Sequence, residues 1–571
     1  MKRIVRSVLF FFGLFAIAPV LFAQNALPRD YFLSPLDSTL FVTGTFGELR
    51  SNHFHSGIDF RTQEKVGRPV YAAANGRIVR IKVSPFGFGR ALYIDHPNGF
   101  TTVYGHLQKF NPEIEKFIRK EQFRKESFDV DVFPKDSIKV YKGDIIAYSG
   151  NSGASFGPHL HFEIRSTKSE RPINPLFFGL PVSDTLPPFI NFFQAYPIGA
   201  SSMINDTNVP VRFAVAKDSL GIYHLKSPDT LLIYGKAAFG LQGFDYFYNH
   251  RDQNGYYSMS LYDDSTLKFH FAADSFAFDE SRCINACIDY RSYYVTGNRI
   301  LQSRLLPNNR FSLYNRNAMP GTLDFMDGKL HNIEMVIKDI AGNEAKLVVF
   351  AREYTPARFP VLPDSLPYDT TVNFSYHHVN TFRASRIAVE IPGEALYDSI
   401  TFGYSRVPRV RYSYSALHLL GDPLIPLQQR ITVSIKADSL PVRLRDKVLL
   451  VRIAEGKRNP SGGSWKNGYV TGKTWYFGYY TIGVDTIPPK IKPLPQHNRR
   501  VLSCIISDNF SGIASYKATI NGKWALMEYD AKNDLLTYTF DDLLKPGKNS
   551  FRLTVTDEKE NKASYFKTIT K

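Results

Sequence analysis

The stretch Gly157-Pro158-His159-Leu160-His161-Phe162-Glu163 decides how the first third of this chain folds. In an extended strand, successive side chains point to opposite faces of the sheet, with a period of two residues. The polar side chains His159, His161 and Glu163 therefore share one face, and the apolar side chains Leu160 and Phe162 share the other. The first face is suited to binding and chemistry, and the second is suited to packing in a hydrophobic core.

Two motifs upstream contain the same residue types, namely His55-Ser56-Gly57-Ile58-Asp59 and Tyr104-Gly105-His106-Leu107. Residues four apart in a strand also lie on one side, so His55 and Asp59 can bind one ion. Zinc prefers nitrogen and carboxylate ligands, and a catalytic zinc site usually has three protein ligands. His55, Asp59 and one histidine of the His159/His161 pair reach this number, which predicts one Zn²⁺ per chain. His106 and the other histidine remain for proton transfer or oxyanion stabilisation.

The order of these motifs resembles the M23 family of zinc metallopeptidases, which includes the lysostaphin/LytM-type peptidoglycan endopeptidases. The resemblance covers about residues 40–180 and implies an antiparallel β-sheet peptidase domain. It also implies that His55, Asp59 and His161 are the zinc ligands, with His106 and His159 as the catalytic histidines beside the metal. Four further segments match the family pattern in the same order: 69–76, 96–100, 142–147 and 172–175.

All five of these site positions are filled, so the resemblance implies an exported zinc metalloendopeptidase. Its reaction would be hydrolysis of peptidoglycan cross-links by a metal-activated water, and its partners would be stem or cross-link peptides. The alternative is a catalytically silent envelope protein that binds wall peptides or activates another hydrolase. A third interpretation keeps the zinc chemistry but directs it at a protein substrate. The sequence leaves open whether His106 or His159 is the general base.

Other polar residues near these motifs have simpler interpretations. His96 precedes the Pro97-Asn98-Gly99 turn, and we expect it to brace a hairpin. His53 lies two residues before His55 and is the one rival ligand. Glu163 either orients His161 as a hydrogen-bond acceptor or is an exposed strand carboxylate, and it is not included in the predicted site.

An insertion of about 30 residues, 108–139, separates the His106 motif from the next segment that matches the family pattern, 142–147. Asn111 as N-cap and Pro112 at the first helical position predict a helix. This helix either packs on the edge of the sheet or acts as a wall or lid of the cleft. In the second case its basic residues would face an anionic substrate: Lys116, Arg119, Lys120, Arg124 and Lys125.

The first residues indicate export. Lys2, Arg3 and Arg6 precede an apolar run that ends at Ala23, which is the pattern of a signal peptide over residues 1–23. The run is too short for a membrane span, so no stable transmembrane segment is expected after cleavage. The predicted location is the periplasm or cell envelope, with release from the cell left open. The formal charge is +17, or +14 after cleavage, which favours anionic envelope polymers; no nucleic-acid motif accompanies it.

The remaining chain is predicted to be mainly β and to form two or three β-sandwich domains of the immunoglobulin-like kind. Near-identical segments at 184–188 and 485–489, Asp-Thr-Leu-Pro-Pro and Asp-Thr-Ile-Pro-Pro, predict linkers into β-domains. After the peptidase domain (24–183), this gives an Ig-like sandwich at 184–354, a β-rich domain of uncertain type at 355–485 and a second Ig-like sandwich at 486–571.

We expect these later domains to act in spacing or targeting, without chemistry of their own. An envelope protein partner could bind through them, using aromatic residues such as Trp465, Trp475 or Tyr479 unless these are core residues. The three cysteines, Cys283, Cys287 and Cys504, are too few for a disulfide scaffold. Cys283 and Cys287 can form a disulfide only in a turn or helix, because they would be too far apart in a strand.

Overall fold

The computed structural model describes residues 27–136, 138–247, 252–314, 320–356, 368–496, 498 and 500–571. The predicted signal peptide, residues 1–23, lies outside the described residues. Strands predominate throughout the described part of the chain, so the mainly β prediction is confirmed. No helix in these ranges is long and apolar enough to cross a membrane.

The N-terminal region, residues 27–183, is built on a nine-stranded antiparallel sheet with the order β1-β4-β13-β8-β7-β6-β10, to which β11 and β14 add at β6 and β13. A three-stranded sheet (β5-β12-β9) and the hairpin β2-β3 complete it. The strands are β1 (Val42–Gly44), β2 (Leu49–Arg50), β3 (His53–Phe54), β4 (Ile58–Arg61), β5 (Pro69–Tyr71), β6 (Gly76–Val83), β7 (Arg90–Asp95), β8 (Phe100–Leu107), β9 (Lys109–Phe110), β10 (Val130–Val132), β11 (Ile138–Val140), β12 (Ile145–Tyr148), β13 (His159–Ser166) and β14 (Pro172–Ile173).

The core of this region lies against one face of the large sheet. Leu160 and Phe162 of β13 are fully buried there, together with Phe60 of the neighbouring β4 and Tyr104 of β8. The predicted alternation along β13 is therefore confirmed, because its apolar side chains enter the core. The opposite face of β13 is left for the histidines.

The predicted helix is present in the insertion as α1 (Pro112–Lys125), and the side chain of Asn111 caps it by accepting a hydrogen bond from the N–H of Ile114. Its buried side, which includes Ile118 and Gln122, packs into the core of the N-terminal region. Of the basic residues predicted to face an anionic substrate, Arg119 pairs with Asp541, Arg124 pairs with Glu121 and Lys125 donates to the Asp131 carbonyl. The helix therefore packs on the sheet, as in the first interpretation.

The second region, residues 184–356, contains one ten-stranded sheet. Strand β18 pairs with β15 on one side and with β24 on the other, so that β15, β16, β17, β24 and β18 close a ring. This arrangement differs from the two face-to-face sheets expected for residues 184–354. The elements are β15 (Phe189–Ile204), β16 (Val211–Lys217), β17 (Tyr223–Leu225), β18 (Thr230–Phe244), β19 (Ser258–Asp263), β20 (Thr266–Ala272), α2 (Ile284–Cys287), α3 (Tyr290–Thr296), β21 (Leu301–Gln302), β22 (Thr322–Asp324), β23 (Leu330–Lys338) and β24 (Glu344–Glu353).

The third region, residues 368–485, consists of a six-stranded and a five-stranded sheet over one shared core. The sheet orders are β25-β28-β29-β35-β31-β32 and β26-β27-β30-β34-β33. The strands are β25 (Thr370–Phe374), β26 (Asn380–Ala384), β27 (Ile387–Ile391), β28 (Ile400–Val407), β29 (Leu417–Leu420), β30 (Ile431–Lys436), β31 (Val448–Ala454), β32 (Lys457–Pro460), β33 (Ser464–Lys466), β34 (Tyr469–Thr474) and β35 (Gly478–Val484).

The C-terminal region, residues 486–571, has two four-stranded antiparallel sheets, β36-β37-β41-β40 and β39-β38-β42-β43, which also share one core. The assignment of these two sheets to the Ig-like kind of sandwich stays a prediction. The strands are β36 (Lys490–Pro493), β37 (Val501–Ser507), β38 (Ile513–Ile520), β39 (Lys523–Ala525), β40 (Glu528–Asp530), β41 (Leu535–Thr539), β42 (Lys548–Asp557) and β43 (Lys562–Thr570).

The candidate interaction residues of the later regions are mostly covered. Trp475 lies under Arg282 at 3.9 Å, and Trp465 lies under Arg445 at 4.9 Å. Tyr479 is 37% exposed. All three cysteines are buried free thiols, and α2 begins directly after Cys283 and ends at Cys287.

The C-terminal region packs directly on the N-terminal region. Leu526 is buried in the core that contains α1, and the Trp524 ring meets Phe123 of α1 edge-on at 5.2 Å. Arg119 of α1 lies 2.8 Å from Asp541, and Lys532 donates to the carbonyl of Asn151. The end of the chain is therefore in contact with the region that begins it.

Candidate metal centre

Three neighbouring strands bring the predicted site residues together. Asp59 on β4 is paired with His161 on β13, and His161 is paired with Gly105 on β8, which places His106 one residue further along β8. Residues directly opposite in an antiparallel pair have Cβ atoms about 5 Å apart. His55 lies in the segment just before β4. The sheet register thus gathers residues that are about 100 positions apart in the chain.

His55, Asp59 and His161 form a triangle of possible ligand atoms. Nε2 of His55 lies 3.1 Å from Oδ1 of Asp59 and 3.0 Å from Nδ1 of His161, and the third side of the triangle is 2.9 Å. Donor atoms bound about 2.0 Å from a tetrahedral zinc ion would lie about 3.3 Å apart. All three side chains are buried. The size of the triangle therefore fits a small divalent ion.

The hydrogen bonds behind the two imidazoles select the nitrogen that each one presents. Nδ1 of His55 lies 2.7 Å from the carbonyl of Thr45 and can only donate to it, which leaves the lone pair on Nε2. Nε2 of His161 lies 3.1 Å from Oε1 of Glu163, which leaves Nδ1 as the nitrogen that can bind a cation once it has lost its proton. Two imidazole nitrogens and a carboxylate oxygen thus face one another, and this donor set suits a cation that replaces the proton of His161.

Glu163 is a buried part of the site that the sequence analysis left out. It is fully buried and accepts hydrogen bonds from His161, from Ser56 Oγ at 2.5 Å and from Arg165 Nε at 2.5 Å. Arg165 is itself buried and lies over the rings of Tyr93 and Phe278. The alternative of an exposed strand carboxylate is wrong, because Glu163 orients His161 and is held in turn by a buried guanidinium group.

The second carboxylate oxygen of Asp59, Oδ2, is held by Arg50. Nη2 of Arg50, on the β2-β3 hairpin, donates to Asp59 Oδ2 at 2.9 Å and lies 3.4 Å from Glu48. This contact leaves Oδ1 facing the two histidines. Gly44 permits the approach, since a Cβ there would lie 2.5 Å from the Arg50 guanidinium and 2.7 Å from the Asp59 carboxylate.

His106 and His159 lie beside the triangle, with their ring centres 4.8 Å apart. Nδ1 of His106 donates to the Ser152 carbonyl at 2.8 Å, and Nδ1 of His159 donates to the Gly157 carbonyl at 2.9 Å. The Nε2 atom of each ring is therefore left for proton exchange, and that of His159 lies 3.5 Å from Asp59 Oδ1. His106 has a left-handed backbone with φ of 57°, which is uncommon for a non-glycine residue.

Burial and neighbouring charges shift the titration of these groups. Burial lowers the pKa of His106 to about 3 and that of His55 to about 4, so both imidazoles are neutral near pH 7. Burial alone would lower the pKa of His161 as well, but its bonds to Asp59 and Glu163 raise it to about 9. Burial would raise the pKa of Glu163, but Arg165 and His161 outweigh it and hold the pKa at about 2.

The two histidines assigned simpler interpretations lie outside the triangle. His96 is buried and bonds to the Asn75 carbonyl at 2.9 Å and to Thr102 Oγ1 at 2.8 Å, so it braces the fold. His53 is exposed and its Nδ1 bonds to the Ser51 carbonyl at 2.8 Å. Within the described ranges, the group of ligand atoms that converge here consists of His55, Asp59 and His161.

The local backbone differs from the prediction in one respect. His55 and Asp59 were expected on one continuous strand, but β3 ends at Phe54 and β4 begins at Ile58. Residues 55–57, which connect these two strands, do not belong to either strand. Glycine is needed at position 57 because a Cβ there would lie 2.5 Å from the Phe162 carbonyl and 2.8 Å from the His161 ring. The pair converges through this close approach to β13.

Two imidazoles and one carboxylate that converge on a point, with two further histidines alongside, form the donor set of a metal-dependent hydrolase. Residues 53–123 and 130–175, which contain all five of these residues, match peptidase family M23. The chain therefore contains an M23 peptidase domain, homologous to the LytM/lysostaphin-type endopeptidases.

Known relatives match the same part of the chain. DD-carboxypeptidase/endopeptidase Mpg of Neisseria gonorrhoeae is 28% identical over 172 residues, which are 30% of this chain and 31% of that protein. Peptidoglycan DD-endopeptidase ShyA of Vibrio cholerae is 28% identical over 169 residues, 28% of this chain and 33% of that protein. The catalytic domain of lysostaphin from Staphylococcus simulans is 26% identical, with 24% of this chain and 91% of that chain covered and a TM-score of 0.19. The chain spans about a third of the length of Mpg and of ShyA.

The third region also has a match. Residues 371–485 match the Zu5-like domain. The sequence analysis placed a β-rich domain of uncertain type at 355–485, and no motif in that stretch allowed a closer assignment.

Proposed function

We propose that this chain is a zinc metalloendopeptidase that hydrolyses peptide cross-links of peptidoglycan. The observation that supports this proposal most directly is the triangle of His55 Nε2, Asp59 Oδ1 and His161 Nδ1, whose sides are 2.9–3.1 Å. The relative ShyA is a peptidoglycan DD-endopeptidase and Mpg is a DD-carboxypeptidase/endopeptidase, which supports the substrate class.

In this proposal His55, Asp59 and His161 hold the zinc ion. The chemistry that zinc supplies in such a site is Lewis acidity, which acidifies water and polarises a peptide carbonyl. Glu163 and Arg50 keep His161 and Asp59 turned towards the ion, because each bonds to the side of the ligand that faces away from it.

His106 and His159 move protons and stabilise charge in this proposal. Both rings are anchored through Nδ1 to backbone carbonyls, so Nε2 of each ring is the atom that takes up or delivers a proton. Burial lowers the pKa of both residues, so that both imidazoles are neutral near pH 7 and Nε2 of each carries a lone pair. The other imidazole could donate to the developing oxyanion only when its Nε2 also carries a proton.

The proposed location is the periplasm or cell envelope, after removal of residues 1–23. The proposal is supported by the basic and then apolar N-terminal sequence and by the charge of about +14 that would remain. A cationic exported protein is attracted to anionic envelope polymers. The later regions would help to place the peptidase at the wall.

The test compares residues 24–571 with two single variants, His161→Ala and the matched control His53→Ala. We expect about one zinc per chain and release of soluble muropeptides from purified peptidoglycan for the wild type and for His53→Ala. His161→Ala should lose both properties. Zinc without muropeptide release would contradict the proposed substrate, and a wild-type protein without zinc would favour the catalytically silent alternative.

A further inference from the structure

Two phenylalanine rings stand in solvent beside the metal centre. Phe156 is fully exposed at 108% relative accessibility, and Phe86 is 62% exposed. The exposed rings of Phe133 and Phe566 elsewhere each lie beneath a guanidinium group, that of Arg80 or Arg552. Among the described residues, no ring or cation contact of this kind covers Phe86 or Phe156. Their apolar surface is therefore available to a ligand.

Phe156 belongs to the segment that positions His159. Ser155 Oγ lies 3.3 Å from His159 Nδ1, and the Gly157 carbonyl accepts from the same nitrogen at 2.9 Å. Ser155 Oγ also donates to the Gly157 carbonyl at 2.8 Å, which bridges the residues on either side of Phe156. The ring is therefore mounted on a hydrogen-bonded turn that directly adjoins the candidate catalytic histidine.

Phe86 belongs to a loop that is hydrogen-bonded to the Phe156 segment and to His106. The Gly87 carbonyl accepts a hydrogen bond from Ala154 N–H at 2.8 Å, and the Phe88 carbonyl accepts one from His106 N–H at 2.8 Å. The ring of Phe88 stacks on His161 with centres 4.7 Å apart. The loops that contain Phe86 and Phe156 are thus hydrogen-bonded to each other and to His106 and His159, and the first of them stacks on His161 through Phe88.

We infer that Phe86 and Phe156 are substrate-binding residues that hold the peptide part of the substrate close to the bond to be cut. This inference rests on the proposed function, because the scissile carbonyl must then lie at the metal centre. An extended peptide advances about 3.3 Å per residue, and the loops of both rings contact the site residues, so the rings lie close to the residues that flank that carbonyl. Aromatic faces bind the methyl and methylene groups of such a peptide by covering apolar surface.

The test uses residues 24–571 with Phe86→Ser, Phe156→Ser and both changes together. Leu220→Ser is the matched control, because Leu220 is 82% exposed and lies in the second region. The probe is a cross-linked dimer of two stem peptides without sugar, compared with the same dimer attached to its glycan. Because both rings are exposed, the variants should fold and keep their zinc content and unfolding midpoint.

Each single change should raise KM for the sugar-free dimer about tenfold and leave kcat within about twofold, since it removes binding that is equal in the ground and transition states. Leu220→Ser should change neither value. An unchanged KM, or a rise confined to the glycan-bearing dimer, would overturn the inference.

A binding experiment separates this inference from the proposed peptidase function. The sugar-free dimer is titrated into His106→Ala, with and without the two phenylalanine changes. A tenfold weaker Kd supports the inference even if no cleavage is found, and an equal Kd refutes it.

Discussion

The change Glu163→Gln should separate the orienting role of this carboxylate from its role in stability. Glu163 Oε1 lies 3.1 Å from His161 Nε2, while its other oxygen pairs with Arg165. Glutamine keeps the shape but removes the charge from both contacts. Loss of a carboxylate behind a metal-bound histidine typically weakens metal binding about 10- to 100-fold. Arg165 would become a buried charge without its carboxylate, which costs about 3–5 kcal/mol of stability.

A second variant makes this prediction decisive. In Glu163→Gln/Arg165→Met the unpaired guanidinium is gone, so most of the lost stability should return while zinc binding stays weak. Zinc affinity is measured by competition with a chelator, and the free energy of unfolding is measured by urea titration of the zinc-free protein. If Glu163→Gln binds zinc as tightly as the wild type, Glu163 does not orient His161. If the double variant recovers both properties, the loss of zinc was only a result of instability.

Three further changes test other parts of the structure. Gly57→Ala should lower zinc affinity at least tenfold, because its Cβ would overlap the Phe162 carbonyl; normal zinc binding would show that β4 can move away from β13. Leu526→Ala should destabilise the protein by about 2–4 kcal/mol in thermal or urea unfolding, and a change below about 1 kcal/mol would show that the C-terminal region is not packed on the core of α1. Burial lowers the pKa of His418 to about 4, so its contribution is fully present above about pH 6.5 and is lost as the pH falls through 4, by roughly 3 kcal/mol. The urea midpoint should therefore fall less between pH 7 and pH 4.5 in His418→Gln than in the wild type, and equal falls would contradict this.

The convergence of the candidate site residues was largely predictable because they lie in short motifs with strand periodicity. The alternation of His159, His161 and Glu163 identified one face of β13, and the same period places Arg165 on that face. That signal was available and could have identified the Glu163–Arg165 pair. The hydrogen bonds of Asp59 to Arg50 and of His55 to the Thr45 carbonyl were not predictable, because they depend on how a separate hairpin and strand pack against β4.

The later regions were less predictable for a related reason. Prolines and alternating residues indicate strands, but they do not say which strands pair. In the second region β18 has two long partners, β15 and β24, and this closes a ring that no local pattern distinguishes from a sandwich. The contact between Arg119 and Asp541 joins residues 422 positions apart, and a pair of single charges leaves no mark in the sequence.

The position of Leu526 also orders events during synthesis. The N-terminal region leaves the ribosome first, yet one buried position of its core is filled by a side chain from the last sheet. Until that side chain arrives, the outer surface of α1, including the place of Phe123 against Trp524, remains open to water. The peptidase region therefore reaches its final packing only when almost the whole chain has been made, and a chain that stops early would leave this apolar seam exposed to proteases and to other unfolded chains.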